Sequence, residues 1–263
     1  MSIKVVFLGD VCGKAGRLAV KQLLSVLRHE LTPDFIIVNG ENAAGGYGIT
    51  PHIAEELLNS GANCLTTGDH AFDRHEIWEY LATEPRIIRP LNFPAGAPGR
   101  GWAFYHPPQL PRPIAVINLV GRVFMKPVDC PFQRANGVIT EIALITPLII
   151  VDFHAEATAE KKAMAYFLDG RVSAILGTHT HIQTADEQIL ANGTAYITDV
   201  GMCGAFDSIL GMKKDLSLRR MIEQVPVRLQ PACDDIRING VLIEINHDTG
   251  RAEKIARLHR ALD

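Results

Sequence analysis

Through residue 67 the apolar positions fall into three short runs, each closed by polar side chains, with two stretches of helical spacing between them. Lys4–Leu8 is short and rich in β-branched residues, the pattern of a strand buried on both faces. Within Arg17–Arg28, Val20, Leu23, Leu24 and Leu27 share one helical face, opposite Lys21, Gln22, Ser25 and Arg28. Phe35–Val38 predicts a second strand. Thr50-Pro51 predicts a helix start, because threonine caps a free backbone N–H and proline is tolerated at the first helical position; Gly61 ends that helix. Cys64–Thr67 predicts a third strand. This β-α-β-α-β rhythm predicts an α/β fold with neighbouring parallel strands.

Prolines and glycines crowd residues 85–113 and predict irregular connections there. Ile114–Leu119, Val138–Leu144 and Leu148–Phe153 then read as strands, Glu156–Leu168 as a helix closed by Gly170, and Val172–Leu176 and Ala195–Thr198 as strands again. Gly240–Ile245 and Ala252–Leu258 flank the turn His247–Gly250, whose Asp248-Thr249-Gly250 supplies hairpin chemistry. So many strands, both parallel and antiparallel, predict two packed sheets with helices outside. Residues 1–263 read as a single domain, and two stretches that fit the rhythm least, about 100–136 and 206–237, predict a small cap.

Composition narrows the functional classes. The chain is 47% hydrophobic and 21% charged, enough to bury a sizeable core. Its net charge, 26 − 29 = −3, comes without a basic run, which argues against a stable nucleic-acid complex and leaves room for a small nucleotide substrate. The five cysteines are scattered and contain no Cys-x-x-Cys, which argues against a disulfide framework or a thiolate zinc site. No apolar run approaches the ~18 residues of a membrane span, and the apolar start Ile3–Leu8 is too short for a signal peptide, so a soluble, cytoplasmic protein with no membrane partner is expected.

The candidate chemistry sits where open α/β sheets gather their ligands, just beyond the ends of the strands. Asp10 follows the first strand, Glu41 and Asn42 the second, Asp69 and His70 the third, His154 the run Leu148–Phe153, and His179 and His181 the run Val172–Leu176. Singly, a carboxylate after a strand is more often a turn or cap residue, and a histidine more often a satisfied surface group. On an extended segment, His179 and His181 would share a face and could reach one centre. Taken together, five strand ends deliver carboxylate oxygen and imidazole nitrogen without thiolate, a set that suits iron, manganese or zinc. The candidate ligands are too many for one ordinary ion and about right for two sharing a bridging carboxylate.

At these residues the sequence resembles the calcineurin-like metallophosphoesterases, and more closely their bacterial YmdB-type branch of 2′,3′-cyclic-nucleotide 2′-phosphodiesterases. The matching blocks are Gly9-Asp10-Val11 with Gly13 and Gly16-Arg17, Asn39-Gly40-Glu41-Asn42, Gly68-Asp69-His70 with Phe72-Asp73, His154-Ala155-Glu156-Ala157-Thr158, Gly177 through Asp186, and Thr198-Asp199-Val200-Gly201-Met202. The resemblance implies a four-layer α/β/β/α sandwich of two mixed sheets with a small cap. It implies two divalent metal ions per chain, iron or manganese before zinc. One would be held by Asp10, Glu41, Asn42 and His181, and the second by Glu41, Asp69, His154 and His179, with Glu41 bridging. It also implies His70 as the general acid, with Asp73 orienting it, and a phosphodiester, a 2′,3′- or 3′,5′-cyclic nucleotide, hydrolysed by metal-activated water in a homo-oligomer.

Two departures stand out. The superfamily's usual Asp-x-His is here Asp10-Val11-Cys12, and Cys12 reads as a small buried residue rather than a ligand. The branch usually has asparagine before the acid histidine; Asp69 adds a negative charge there and predicts a tighter hold on the second ion. Gly45-Gly46-Tyr47-Gly48 reads as a tight turn, and Lys126, Arg134, Lys213, Lys214, Arg219 and Arg220 either steer a phosphate or form a solvated face. Two other functions stay open at this level. One is a phosphomonoesterase or protein phosphatase on the same site, and the other is a non-catalytic metal or nucleotide sensor, against which an intact His70 argues.

Overall fold

The computed structural model describes residues 1–262. The β-α-β-α-β opening is present as β1 (Ser2–Leu8), α1 (Gly13–Leu31), β3 (Phe35–Asn39), α2 (Pro51–Asn59) and β4 (Cys64–Thr66), with the two-residue β2 (Asp10–Val11) between β1 and α1. The Thr50 hydroxyl accepts from the Ile53 N–H, so α2 starts with the expected cap. Strands β1, β3 and β4 run parallel, in the order β1-β3-β4. On the other side of β1 lies β12 (Ile236–Asn246), antiparallel to it and to β13 (Ala252–Ala261), which together form the C-terminal hairpin. The start of β12 also pairs with β11 (Met202–Ala205), and β11 with β2.

The second sheet has the order β5-β6-β7-β8-β10-β9. Its elements are β5 (Trp102–Tyr105), β6 (Ile114–Val120), β7 (Ile149–His154), β8 (Ala174–Thr178), β9 (Gln188–Ile189) and β10 (Ala195–Ile197). From β6 to β10 it is parallel, and the edge strands β5 and β9 are antiparallel.

Strand periodicity divides the core into layers. In β1, Ile3, Val5 and Phe7 face the second sheet, while Val6 and Leu8 face the helices; Phe35 and Ile37 against Ile36 and Val38 repeat the division in β3. In β7, Ile150 joins the layer between the sheets, whereas Ile149, Val151 and Phe153 pack outward with α4 (Pro131–Ile142) and α5 (Thr158–Leu168). With α1, α2 and α3 (Ile77–Thr83) covering the first sheet, this is the four-layer α/β/β/α sandwich of two mixed sheets.

One expected strand is a helix. Val138–Leu144 belongs to α4 and the turn after it: Pro131 occupies the first turn, Ala135, Ile139 and Ile142 form the buried stripe, and Leu144 is exposed. The irregular region 85–113 contains β5, whose Ala103 and Tyr105 enter the layer between the sheets. The stretch 206–237 carries α6 (Lys214–Glu223), along which Leu218, Met221 and Ile222 are exposed. Among the described residues no helix is long and apolar enough to cross a membrane.

Candidate metal centre and its relatives

All the candidate ligands leave the carboxyl ends of parallel strands, or the turns that follow them. Asp10 enters through β2, Glu41 and Asn42 through the turn after β3, and Asp69 and His70 through the turn after β4. His154 is the last residue of β7, and His179 and His181 follow β8. Gly68 is required for this convergence, since a β-carbon there would collide with the Glu41 carboxylate and the His154 ring.

Carboxylate oxygens of Glu41 and Asp69 and ring nitrogens of His154 and His179 all lie within 4.8 Å of one another. His154 Nε2 is the hub, 2.9 Å from Glu41 Oε1, 3.2 Å from Asp69 Oδ1 and 2.9 Å from His179 Nδ1. Asp10 stands beside this group, its Oδ1 3.6 Å from His154 Nδ1 and its Oδ2 accepting from the His179 N–H at 3.1 Å. His181 Nε2 lies 3.2 Å from Asn42 Oδ1, and His181 Nδ1 is 3.1 Å from the Leu210 carbonyl oxygen. His70 Nδ1 is bonded to Asp73 Oδ2 at 2.7 Å, which leaves Nε2 facing the group, 3.9 Å from Asp69 Oδ2. The tight turn before it puts the Tyr47 ring edge-on to His70, with 5.2 Å between centroids.

Electrostatics and unmet valences say what such a group requires. Asp10 is 0% exposed, and its Oδ1 has no hydrogen-bond donor. Burial raises the pKa of Asp10 despite His154 and His181. Burial also pushes Asp69 upward, yet its hydrogen bond to His154 and the charges of His154, His70 and His179 hold it well below the usual carboxylate range. His154, which burial alone would favour as neutral, is driven toward the charged form by Glu41, Asp69 and Asp10, while burial and His154 lower His179 to about 4. The carboxylates that would hold a proton on His154 offer a divalent cation an equivalent place, and the orphaned Asp10 oxygen adds a further donor. These residues fit a metal of the oxygen- and nitrogen-binding kind. Cys12 sits instead in an apolar group with Met202 and Met212, and burial beside Asp10 pushes its thiol up to about 12.

Residues behind the ligands orient them. The ladder register sets His154 opposite Thr178, and Thr178 Oγ1 lies 2.9 Å from His154 Nδ1 while donating to Asp152 Oδ1 at 2.7 Å. Nδ1 therefore donates to Thr178 in either protonation state, and Nε2 is the nitrogen turned to the cluster, where a cation could take the place of its proton. Asp152 Oδ2 accepts from Asn39 Nδ2 at 2.9 Å, tying β7 to β3 across the two sheets. The histidine pair is not extended, for His179 and His181 adopt φ values of 102° and 66°. Between them, Thr180 donates its N–H and hydroxyl to Asp199 Oδ2 at 3.0 and 2.8 Å, and Asp199 is in turn paired with Lys161 Nζ at 2.8 Å. Glu156 Oε2, 3.2 Å from His179 Nε2, holds the outer edge of that ring.

A family model described as YmdB-like protein matches residues 6–258. The chain belongs to that family. It is 46% identical over 256 residues to a 2′,3′-cyclic-nucleotide 2′-phosphodiesterase of Bacillus subtilis, covering 97% of this chain and 96% of the relative. A putative phosphatase/phosphodiesterase of Mycoplasma pneumoniae is 36% identical over 265 residues, 96% of this chain and 91% of that one. Among solved structures, one from M. pneumoniae described as a novel phosphatase superposes with a TM-score of 0.93 at 34% identity, covering 99% of this chain and 94% of that chain. A 5′-nucleotidase of Candida albicans, at 10% identity and a TM-score of 0.55, shares the fold alone. Family membership makes the chain an enzyme of the phosphoric diester hydrolase class, and its Glu41–Asp69–His154–His179 cluster is the place where it can hold metal.

Two variants test the supporting residues. Thr178→Val should lower Mn²⁺ affinity about 10- to 100-fold by releasing the His154 ring, as such outer partners do elsewhere. Titration by electron paramagnetic resonance would read this, and an unchanged affinity would refute the orienting role. Lys161→Met should destabilise the protein by about 3–5 kcal/mol, because it leaves the Asp199 charge buried and unpaired. The double variant Lys161→Met with Asp199→Asn should recover part of that loss; urea denaturation would measure both, and a single-variant loss under about 1 kcal/mol would refute the pair's role.

Proposed function

We propose that the protein hydrolyses a small phosphodiester, a 2′,3′- or 3′,5′-cyclic nucleotide, at a centre of two divalent metal ions with His70 as general acid. The observation that carries the reading is the convergence of Glu41, Asp69, His154 and His179 beside the orphaned Asp10 oxygen and the Asn42–His181 pair. Asp10, Glu41, Asn42 and His181 would hold one ion and Glu41, Asp69, His154 and His179 the other, Glu41 being shared. Two bound ions supply Lewis-acid charge for a phosphate and lower the pKa of water toward neutrality. Iron and manganese suit the all-nitrogen-and-oxygen donor set, with zinc also compatible.

The chain's own residues do the rest. His179 and His181 stand on either side of the centre, each fixed at its second nitrogen, by Glu156 and by the Leu210 carbonyl oxygen. His70 lies beside the cluster, its Nδ1 held by Asp73, so that Nε2 is the nitrogen free to hand a proton to a departing alkoxide. A nitrophenolate leaves without a proton, whereas a ribose oxygen needs one, so the value of His70 depends on the leaving group. The 46% identity to a cyclic-nucleotide phosphodiesterase supports the choice of substrate.

Protein loaded with Mn²⁺ or Fe²⁺ should turn over bis-p-nitrophenyl phosphate and adenosine 2′,3′-cyclic phosphate, with p-nitrophenyl phosphate a poor substrate. His70→Ala should lower kcat on the cyclic nucleotide by about 10²–10⁴ and on the nitrophenyl diester far less, at unchanged metal content. Equal losses on both substrates would remove the acid role. Faster turnover of the monoester would replace the diesterase with a phosphatase, and two bound metals without any turnover would leave a sensor.

A further inference from the structure

Beside the candidate ligand cluster, the segment between β6 and α4 begins as a short arch, residues 121–127, clamped at both feet. At one foot, the Gly121 N–H donates to the carbonyl oxygen of His154 at 2.9 Å, and no side chain fits at Gly121 because Ala155 and Glu160 fill its space. The buried Glu160 accepts from the Arg122 and Val123 N–H groups at 3.0 and 3.2 Å. Buried Asn92 ties the two feet together: it bonds the Val120 N–H and carbonyl oxygen at 2.9 and 2.8 Å, and at the far foot it donates to the Asp129 carbonyl oxygen at 3.0 Å. Met125 packs inward with Val120, Phe93 and Ala71, the residue after His70.

So firm an anchor would be expected to serve burial, yet the crown points out. Phe124 is 88% exposed and holds φ 64°, a left-handed backbone that costs a bulky residue energy. Two residues on, Lys126 turns back and its Nζ donates to the backbone carbonyl oxygen of Asp69 at 3.2 Å, beside His70. A cation placed at the edge of the reacting centre, next to a solvent-facing aromatic ring on a rigid support, matches a ligand that joins an anionic phosphate to a flat apolar ring.

We infer that Arg122–Pro127 is the arm that recognises a nucleotide, with Lys126 taking a non-bridging phosphate oxygen and Phe124 stacking on the base. The inference rests on the phosphodiester reading for the site's use, and it adds a requirement for a base. The ammonium exchanges a neutral carbonyl partner for an anionic one when phosphate arrives, a stronger, charge-assisted bond. The ring's stacking tolerates any base, because every base has a π-face. Arm and centre cannot drift apart, since His154 is both the hub of the ligand cluster and the acceptor that fixes the arm's foot.

Titration calorimetry on the Mn²⁺-loaded protein would test this with adenosine 3′-phosphorothioate, which is slowly hydrolysed, and inorganic thiophosphate, which has no base. Phe124→Ala and the size-matched Phe124→Leu should lower the preference for the adenosine compound about tenfold. Lys126→Ala should weaken both ligands by a similar factor of about tenfold, with most of the loss recovered in Lys126→Arg. An unchanged preference in both Phe124 variants, or full binding by Lys126→Ala, would overturn the arm. Turnover of adenosine 2′,3′-cyclic phosphate by the parent protein reports separately on the diesterase reading, because the binding ratios judge the arm whether or not turnover is seen.

Discussion

Three carboxylates brought out of water at one spot are the constraint around which the rest of the fold is arranged. Asp10, Glu41 and Asp69 reach the same place from three strands, and Asp10 and Glu41 are almost wholly buried. Like charges so placed repel strongly in a poorly screened interior, and each loses its hydration. The imidazole of His154 answers them only in part, since it can carry a single charge and leaves one Asp10 oxygen without a donor. A cluster of this kind is stable and useful when multivalent positive charge enters it.

Holding that cluster open falls to the layer of polar side chains buried beneath it. Asn39 on β3, Asn118 on β6 and Asp152 on β7 are polar positions in otherwise apolar strands, and they bond one another or neighbouring backbone across the gap between the sheets. Apolar side chains there would pack, but they would fix neither the Thr178 hydroxyl nor, through it, the His154 tautomer. The Lys161–Asp199 pair does the same for the strained turn bearing His179 and His181. Left-handed backbone at these two histidines persists because a buried carboxylate grips the residue between them.

Much of this was legible in the sequence, and the gaps have physical reasons. The apolar runs at Lys4–Leu8, Phe35–Val38 and Leu148–Phe153 sit on strands buried on both faces, where no alternation competes with the signal. Val138–Leu144 misled because a short window rich in β-branched residues hides the helical stripe that becomes visible only back to Pro131. Asp152 stands as a charge inside the run Leu148–Phe153, and Lys161 shares a helical stripe with Met164, Ala165 and Leu168; both positions announce a buried partner without naming it. Pairing Lys161 with Asp199, or His154 with Thr178, depends on how α5 lies over the sheet and on the β7–β8 register, which are properties of the assembled chain. The expected common face of His179 and His181 assumed extended backbone, whereas their positive φ values send His179 toward Asp69 and His181 toward Asn42.

The same contrast explains where specificity can reside. The three histidines His154, His179 and His181 are each held at a ring nitrogen by a further residue, Thr178, Glu156 and Leu210, so the cluster has little freedom to adapt to one ester rather than another. Discrimination must come from groups that touch the rest of the substrate without being ligands, and these lie on the rim: Tyr47 edge-on to His70, Leu210 over His181, and the 121–127 arch. Of these, the arch alone presents a cation toward the centre together with an aromatic ring toward solvent. Its clamps hold the backbone that carries that ring, so a ligand meeting it would not have to offset the entropy of ordering a loose loop.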